Sequence, residues 1–563
     1  MSRSFRRVLT FAIGSITAIA TGPALASVQA GSAQKFDGIN HIVVIYEENH
    51  SFDNLYGGWE GVNGLGGADA AHTAQVIQSD ATTRYTCLKQ NDVNLVSAQG
   101  PICTDSTTGT TFTSHFINQP FQIDTYIHPG DTTCPQLGQE FSPAHSNGWA
   151  NGTGTSGGCT RDIVHRFYQE QYQLHGGAQN LYVTGSDAVG LTMGYYDTTA
   201  LPIYTYLHSD SHPHYAIADN FFQGAFGGSF LNHQWLISAA APTYPFPAPS
   251  NLHSIIDSNG MPNNYSLYHA TGPVRDAALT QACPSTVPGR ACGDFAVNTM
   301  QPAVQPKGSF GAVLPAQGAP TIGDRLTGQE IDWAWYAGGW SNADGDIDAP
   351  GWTNGTGPSC LDPRATPNPS FPHCPDTTFQ FHHQPFNYYA NYAPGTTARH
   401  LHLRDEAEFL QLANDSSKTC NLKPVSFVKP VGVENEHPGY TGETRGSNHL
   451  VDLLKAINNS ACRKDTMVVV TYDEFGGQWD HVTAPGQGNT NGPHDQWGPG
   501  TRIPALVIAP RLRGEFVVDH TQYDTTSILA TIEHKYGLAA LGTRDAAVND
   551  LSSVFGAHSP FDT

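Results

Sequence analysis

The chain has 563 residues, 49 of them acidic and 27 basic, for a formal net charge of −22. A field of that sign repels nucleic acid and anionic membrane surfaces, so neither is an expected partner. Only 13% of residues are charged and 39% are apolar, with 58 glycines and 38 prolines, which describes a large core under a loop-rich surface.

The first 26 residues carry Arg3, Arg6 and Arg7, then an apolar stretch, then Ala24-Leu25-Ala26. That is the pattern of a secretory signal cut after Ala26, with an uncleaved anchor as the alternative, and it places the mature protein in the periplasm or outside the cell. No later segment is apolar for long enough to cross a bilayer, so stable membrane insertion is not expected. Ten cysteines suit an oxidising compartment and lack zinc-ribbon or redox spacing. Neighbouring pairs are the expectation: Cys87/Cys103, Cys134/Cys159, Cys283/Cys292, Cys360/Cys374 and Cys420/Cys462.

Strands are expected at 41–47, 466–472 and 503–509, and helices at Asp162–Gln173, Phe230–Ala239, Ala398–Leu412 and Ser447–Asn458. Strands alternating with helices over this length predict an α/β fold with a mainly parallel sheet between helix layers. Residues 60–160 and 240–375 are rich in Gly, Thr, Pro and Asn and hold eight of the ten cysteines. They read as disulfide-pinned insertions in one domain spanning 27–563. No internal repeat is visible, and past about residue 540 the chain turns polar.

Two acidic stretches follow apolar runs. Tyr46-Glu47-Glu48-Asn49-His50-Ser51-Phe52-Asp53 follows the run His41–Ile45, and Tyr472-Asp473-Glu474-Phe475-Gly476-Gly477 follows Met467–Val470. Carboxylates at the C-terminal ends of parallel strands lie where open α/β sheets bind ligands, and such oxygens suit a divalent cation; acids at strand ends also serve as loop starters and helix caps. In Gly227-Gly228-Ser229-Phe230, a glycine turn opens a helix. Ser229 there is either an N-cap or a nucleophile beside a phosphate held at the helix N-terminus. Among 26 histidines, His165, the pair His382-His383 and His437 occupy distinctive settings from which an imidazole could neutralise a phosphoryl oxygen or protonate a leaving group. Asp480-His481 either orients the acidic cluster or forms an Asp/His hydrogen bond that holds its loop, the structural role being the expectation.

In this order the chain contains EENHSFDNLYG, AFGGSFLNHQW, FHHQPFNYYANYAPG, NEHPGY, TYDEFGGQWDHV and GPGTRIPALVIAP. Together, from about residue 38 to 555, these motifs resemble the bacterial phosphoesterase family that holds acid phosphatase A and the phosphatidylcholine-type phospholipases C. The resemblance implies an alkaline-phosphatase-like α/β/α sandwich, a single metal and a phosphoserine intermediate. It assigns Glu48, Asn49, Asp473, Glu474 and Ser229 to the metal, with Ser229 also the nucleophile, and His165, His382, His383 and His437 to the phosphate pocket. Glu474 departs from the aspartate pair of acid phosphatase A, and His449 is a rival to His437.

An all-oxygen donor set favours calcium, with zinc as the alternative. The GGSFLNHQ spelling resembles the phosphatase branch, as does a chain that stops soon after the catalytic core. The expected activity is therefore a secreted acid phosphatase acting on small phosphomonoesters, its acid optimum set by protonated histidines. The alternatives are a phospholipase C taking phospholipid head groups and a non-catalytic exported binding protein.

Overall fold

The runs at 41–47 and 466–472 are apolar on both faces, and a strand of that kind is stable only with cover on both sides. In the computed structural model they form adjacent inner strands, and Ile42–Tyr46 and Met467–Tyr472 are fully buried. The structure describes residues 35–90, 102–125, 130–131, 133–134, 155–156, 160, 162–285, 287–309, 311–355 and 375–561. The expected signal sequence lies outside these residues.

The main sheet has eight strands, numbered along the chain: β1 (His41–Glu47), β2 (Tyr215–Ala218), β3 (Trp333–Ala337), β4 (Leu403–Asp405), β5 (Val425–Lys429), β6 (Thr466–Tyr472), β7 (Ala505–Ile508) and β8 (Phe516–Asp519). Their order is β4-β3-β5-β1-β6-β7-β2-β8. Every pairing is parallel except the two made by β7, which runs antiparallel between β6 and β2. Six helices of interest are α1 (Phe167–Leu174), α2 (Ser229–Ser238), α3 (Thr397–His402), α4 (Glu406–Asn414), α5 (Glu443–Asn458) and α6 (Thr526–Tyr536). Helix α4 packs with α5, and α2 packs with α6. The result is the expected α/β fold with a mainly parallel sheet.

Three differences from the sequence reading have physical causes. Strand β3 comes from inside the stretch expected to be an insertion; its Trp333-Ala334-Trp335-Tyr336-Ala337 run is wholly buried and aromatic, which β-structure accepts readily. The helix expected over Ala398–Leu412 is split into α3 and α4 by β4, whose Leu403–Asp405 pairs with Trp335–Ala337. The helix expected from Asp162 begins only at Phe167, so His165 sits in the extended segment before α1. Disulfides join Cys87 to Cys103, Cys283 to Cys292 and Cys420 to Cys462, as expected. The side chains of the other two pairs are outside the described residues. No helix among the described residues is long and apolar enough to cross a membrane.

A buried ionic lattice ties the loop after β1 to the loop after β6. Arg502 NH2 lies 2.9 Å from Asp53 Oδ1, and its Nε lies 3.1 Å from Asp480 Oδ1. His481 Nδ1 lies 2.5 Å from Asp53 Oδ2, so the Asp480-His481 pair does hold its loop. Burial alone would raise Asp53, but Arg502 and His481 outweigh it and lower its pKa. Removing one member of a buried pair strands the other charge, so Arg502→Met should lower the urea denaturation midpoint by the equivalent of ~3–5 kcal/mol. A shift within error of wild type would refute that role.

His449, on α5, is directed at Glu406, with Nε2 2.8 Å from Oε1. Burial acts to lower its pKa, but Glu406 overrides this and pushes it up to about 9. A folded value near 9 against an unfolded value of about 6.5 means stabilisation that is complete below the unfolded value and lost as pH rises through the folded one. His449→Gln should flatten this alkaline decline when thermal unfolding is followed from pH 6 to 10. An unchanged slope would count against the pairing.

Candidate active site

Strand register brings the acids together. β1 and β6 pair in parallel with Glu47 beside Tyr472, so Glu48 and Asn49 leave one strand where Asp473 and Glu474 leave the other. All four side chains are buried. The Asn49 backbone N–H donates to Asp473 Oδ1 at 3.3 Å, and the Glu474 N–H donates to the same oxygen at 2.8 Å. Asn49 adopts a left-handed φ of 60°, a conformation asparagine tolerates better than most residues. Gly476 allows the two loops to close, since a Cβ there would stand 2.3 Å from the Asn49 carbonyl oxygen.

Ser229 arrives from β2 through the glycine turn. It is the first residue of α2, while Gly228 holds the cap position and no side chain caps the helix. The capping role is thereby excluded. The Ser229 hydroxyl instead donates to Glu48 Oε2 at 3.1 Å. The turn is braced by the Glu170 carboxylate, which accepts from the Gly227 N–H, and by Gln223 Nε2 and Asn232 Nδ2, each 3.1 Å from the Gly227 carbonyl oxygen. Gly228 lets the His165 segment lie against the turn: a Cβ would meet the His165 carbonyl oxygen at 2.9 Å.

The histidines expected to share one pocket divide. His165, His382 and His437 line a cavity of about 360 Å³ together with Ser229, Phe230 and Tyr440. Asn49 Nδ2 lies 3.1 Å from His437 Nε2 and 3.5 Å from His165 Nε2. His383 turns inward, placing Nε2 3.1 Å from Glu48 Oε1 and stacking on His233 at 4.9 Å. His449, paired with Glu406, takes no place in this cluster.

Two residues escaped the sequence reading. Lys429, at the end of β5, ion-pairs with Glu48 Oε1 at 2.7 Å. His233 directs Nδ1 to the Ser229 carbonyl oxygen at 2.8 Å. The signal for His233 was its spacing, four residues after Ser229 on one helix face.

Burial raises Glu48 well above the usual carboxylate range, and Asp473 adds to the effect. Burial likewise raises Asp473, and it raises Glu474 strongly with Asp473 again contributing. Burial also draws His382 down to about 3, aided by Lys429, and takes His383 and His437 well below the normal imidazole value. Burial thus works against the protonated form of His382, His383 and His437 that the acid optimum anticipated from the sequence requires.

Buried oxygens without hydrogen-bond partners remain at Asn49 Oδ1, Asp473 Oδ2 and Glu474 Oε1. Buried acceptors and crowded carboxylates of this kind could serve a hard divalent cation. Glu48, His233 and His383 also present ligand atoms within 4.8 Å of one another. Lys429 already holds the Glu48 oxygen that faces that group, which leaves Glu48 Oε2 as the oxygen open to a cation on the side of Ser229.

The chain is similar in sequence to several known phospholipases C. The chain is 34% identical over 163 residues to phospholipase C B of Mycobacterium tuberculosis, covering 25% of this chain and 30% of that protein. It is 28% identical over 212 residues to the non-hemolytic phospholipase C of Burkholderia pseudomallei, covering 31% and 29%. Against non-specific phospholipase C6 of Arabidopsis thaliana it is 29% identical over 145 residues, covering 22% and 28%. The matched stretches therefore span no more than about 30% of the length of these relatives. The Phosphoesterase family matches far more of the chain, from residue 39 to 539, and the chain belongs to that family.

Proposed function

We propose that the protein hydrolyses phosphate esters through a phosphoserine formed on Ser229, with small phosphomonoesters as its substrates. One observation carries this reading. The Ser229 hydroxyl, at a helix N-terminus and free of capping duty, lies 3.1 Å from Glu48 Oε2 on a cavity lined by imidazoles.

The residues fit a divalent cation held by Glu48, Asn49, Asp473 and Glu474 at the edge of Ser229. Such an ion, calcium by its oxygen donors or zinc as the alternative, would lower the pKa of the hydroxyl and offset phosphate charge. The phosphoryl oxygens face the N-terminus of α2, where the helix dipole and free N–H groups favour anions. Ser229 Oγ attacks phosphorus while the ester P–O bond breaks on the far side, and the departing alkoxide takes a proton from an imidazole of the cavity. Bound phosphate opposes the burial that disfavours the charged form of His382 and His437, so their protonation accompanies substrate binding. Water then attacks phosphoserine by the reverse geometry and releases inorganic phosphate.

A phospholipase C reading stands beside this one because the relatives named above carry that activity in their names. Both readings are compatible with an exported protein, and the disulfides support an oxidising compartment.

Ser229→Ala should keep the wild-type fold and unfolding temperature and lose turnover by ~10³-fold or more. Near-wild-type turnover would end the nucleophile assignment. Assayed side by side, nitrophenyl phosphate should be cleaved and phosphatidylcholine vesicles left intact; the opposite preference selects the phospholipase reading. Chelation should abolish turnover and lower the unfolding temperature, with both restored by adding back the cation, because a ligand bound only to the native state stabilises it. Chelator-resistant turnover would refute metal dependence.

A further inference from the structure

A lysine buried to 1% exposure inside a group of carboxylates needs a reason, since desolvating an ammonium costs several kcal/mol. Lys429 reaches its place through strand register. β5 lies beside β1 with Val428 opposite Ile45, so the next residue stands next to Tyr46, whose carbonyl oxygen accepts from Lys429 Nζ at 2.8 Å. The remaining reach of the side chain goes to Glu48 Oε1, 2.7 Å away. Among the described residues, Lys429 is the one lysine or arginine in ion-pair contact with Glu48, Asp473 or Glu474.

The two oxygens of Glu48 therefore have different surroundings. Oε1 faces Lys429, His383 at 3.1 Å and His233 at 3.8 Å. Oε2 faces the Ser229 hydroxyl. The terminal torsion of a glutamate is broad and roughly two-fold, so an unclamped carboxylate would present either oxygen, or both, to a cation. Building on the metal-dependent reading above, we infer that Lys429 is a positioning residue for the metal carboxylate. It holds Oε1 so that Glu48 ligates through Oε2 alone, with that same oxygen turned to the nucleophile.

The alternative is simple charge neutralisation of a crowded acidic cluster, and it predicts the opposite sign. Removing a positive charge beside a cation site tightens cation binding if charge is all that matters. Removing a clamp loosens it, by about 10–100-fold for an outer partner of a metal ligand.

The experiment titrates metal-depleted wild type, Lys429→Met and Lys429→Gln with calcium, and then with zinc, by calorimetry at one pH. Near-ultraviolet circular dichroism checks the fold of each. Lys429→Met should bind 10–100-fold more weakly, and Lys429→Gln, which can still donate to Oε1, should recover most of the loss. Equal or tighter binding by Lys429→Met, or no recovery with Lys429→Gln, overturns the proposal. Wild type that binds neither cation would instead overturn the metal-dependent reading, and this proposal with it.

A crystal structure of the cation-loaded wild type decides the matter if the variants do not fold. Glu48 ligating through one oxygen, with Lys429 still on the other, supports the proposal. A bidentate Glu48 or a displaced Lys429 refutes it.

Discussion

Like charges gathered out of water are the governing constraint on this molecule. Glu48, Asp473 and Glu474 lie buried at the ends of two strands that share a full parallel register. Such a cluster persists only with compensating charge or with protons on the acids. The surroundings answer that demand in kind: one buried ammonium, backbone N–H groups from Asn49 and Glu474, and a hydroxyl directed at Glu48. The raised carboxylate values and the oxygens without hydrogen bonds express the same shortage of positive charge, which a divalent cation would meet.

Much of the framework was legible in the residues because the inner strands announce themselves. β1 and β6 are unbroken apolar runs, and the acidic residues that end them mark the rim where ligands bind. β3 was concealed because its five residues, two of them tryptophan, sit within Gly- and Pro-rich sequence that reads as loop. The antiparallel course of β7 was equally hidden, since a short buried strand has the same pattern in either direction. The break between α3 and α4 is a tertiary override: Leu403–Asp405 has fair helical propensity but completes the sheet edge beside β3.

For the site, the motifs pointed to residues that the fold does bring together: Glu48, Asn49, Ser229, Asp473, Glu474, His165, His382, His383 and His437. What they could not convey is orientation. His382 and His383 are consecutive, yet one faces the cavity and the other the Glu48 carboxylate, because the short turn that carries them sends successive side chains in different directions. The choice between cap and nucleophile for Ser229 depended on a one-residue offset in where the helix begins. Lys429 was missed for a different reason. A single lysine after four mostly apolar residues carries no signal until its neighbouring strand is known.

The hydrogen bond between Asn49 and Asp473 closes a sequence separation of 424 residues. Asn49 leaves the ribosome 424 residues before Asp473, so a growing chain holds an incomplete set of donors until the second loop has been made. The cluster cannot form until both strand ends are present in the chain. Contacts of such range carry a loop-closure cost and form late. Any ion that this cluster takes up would have to wait until the two loops have met.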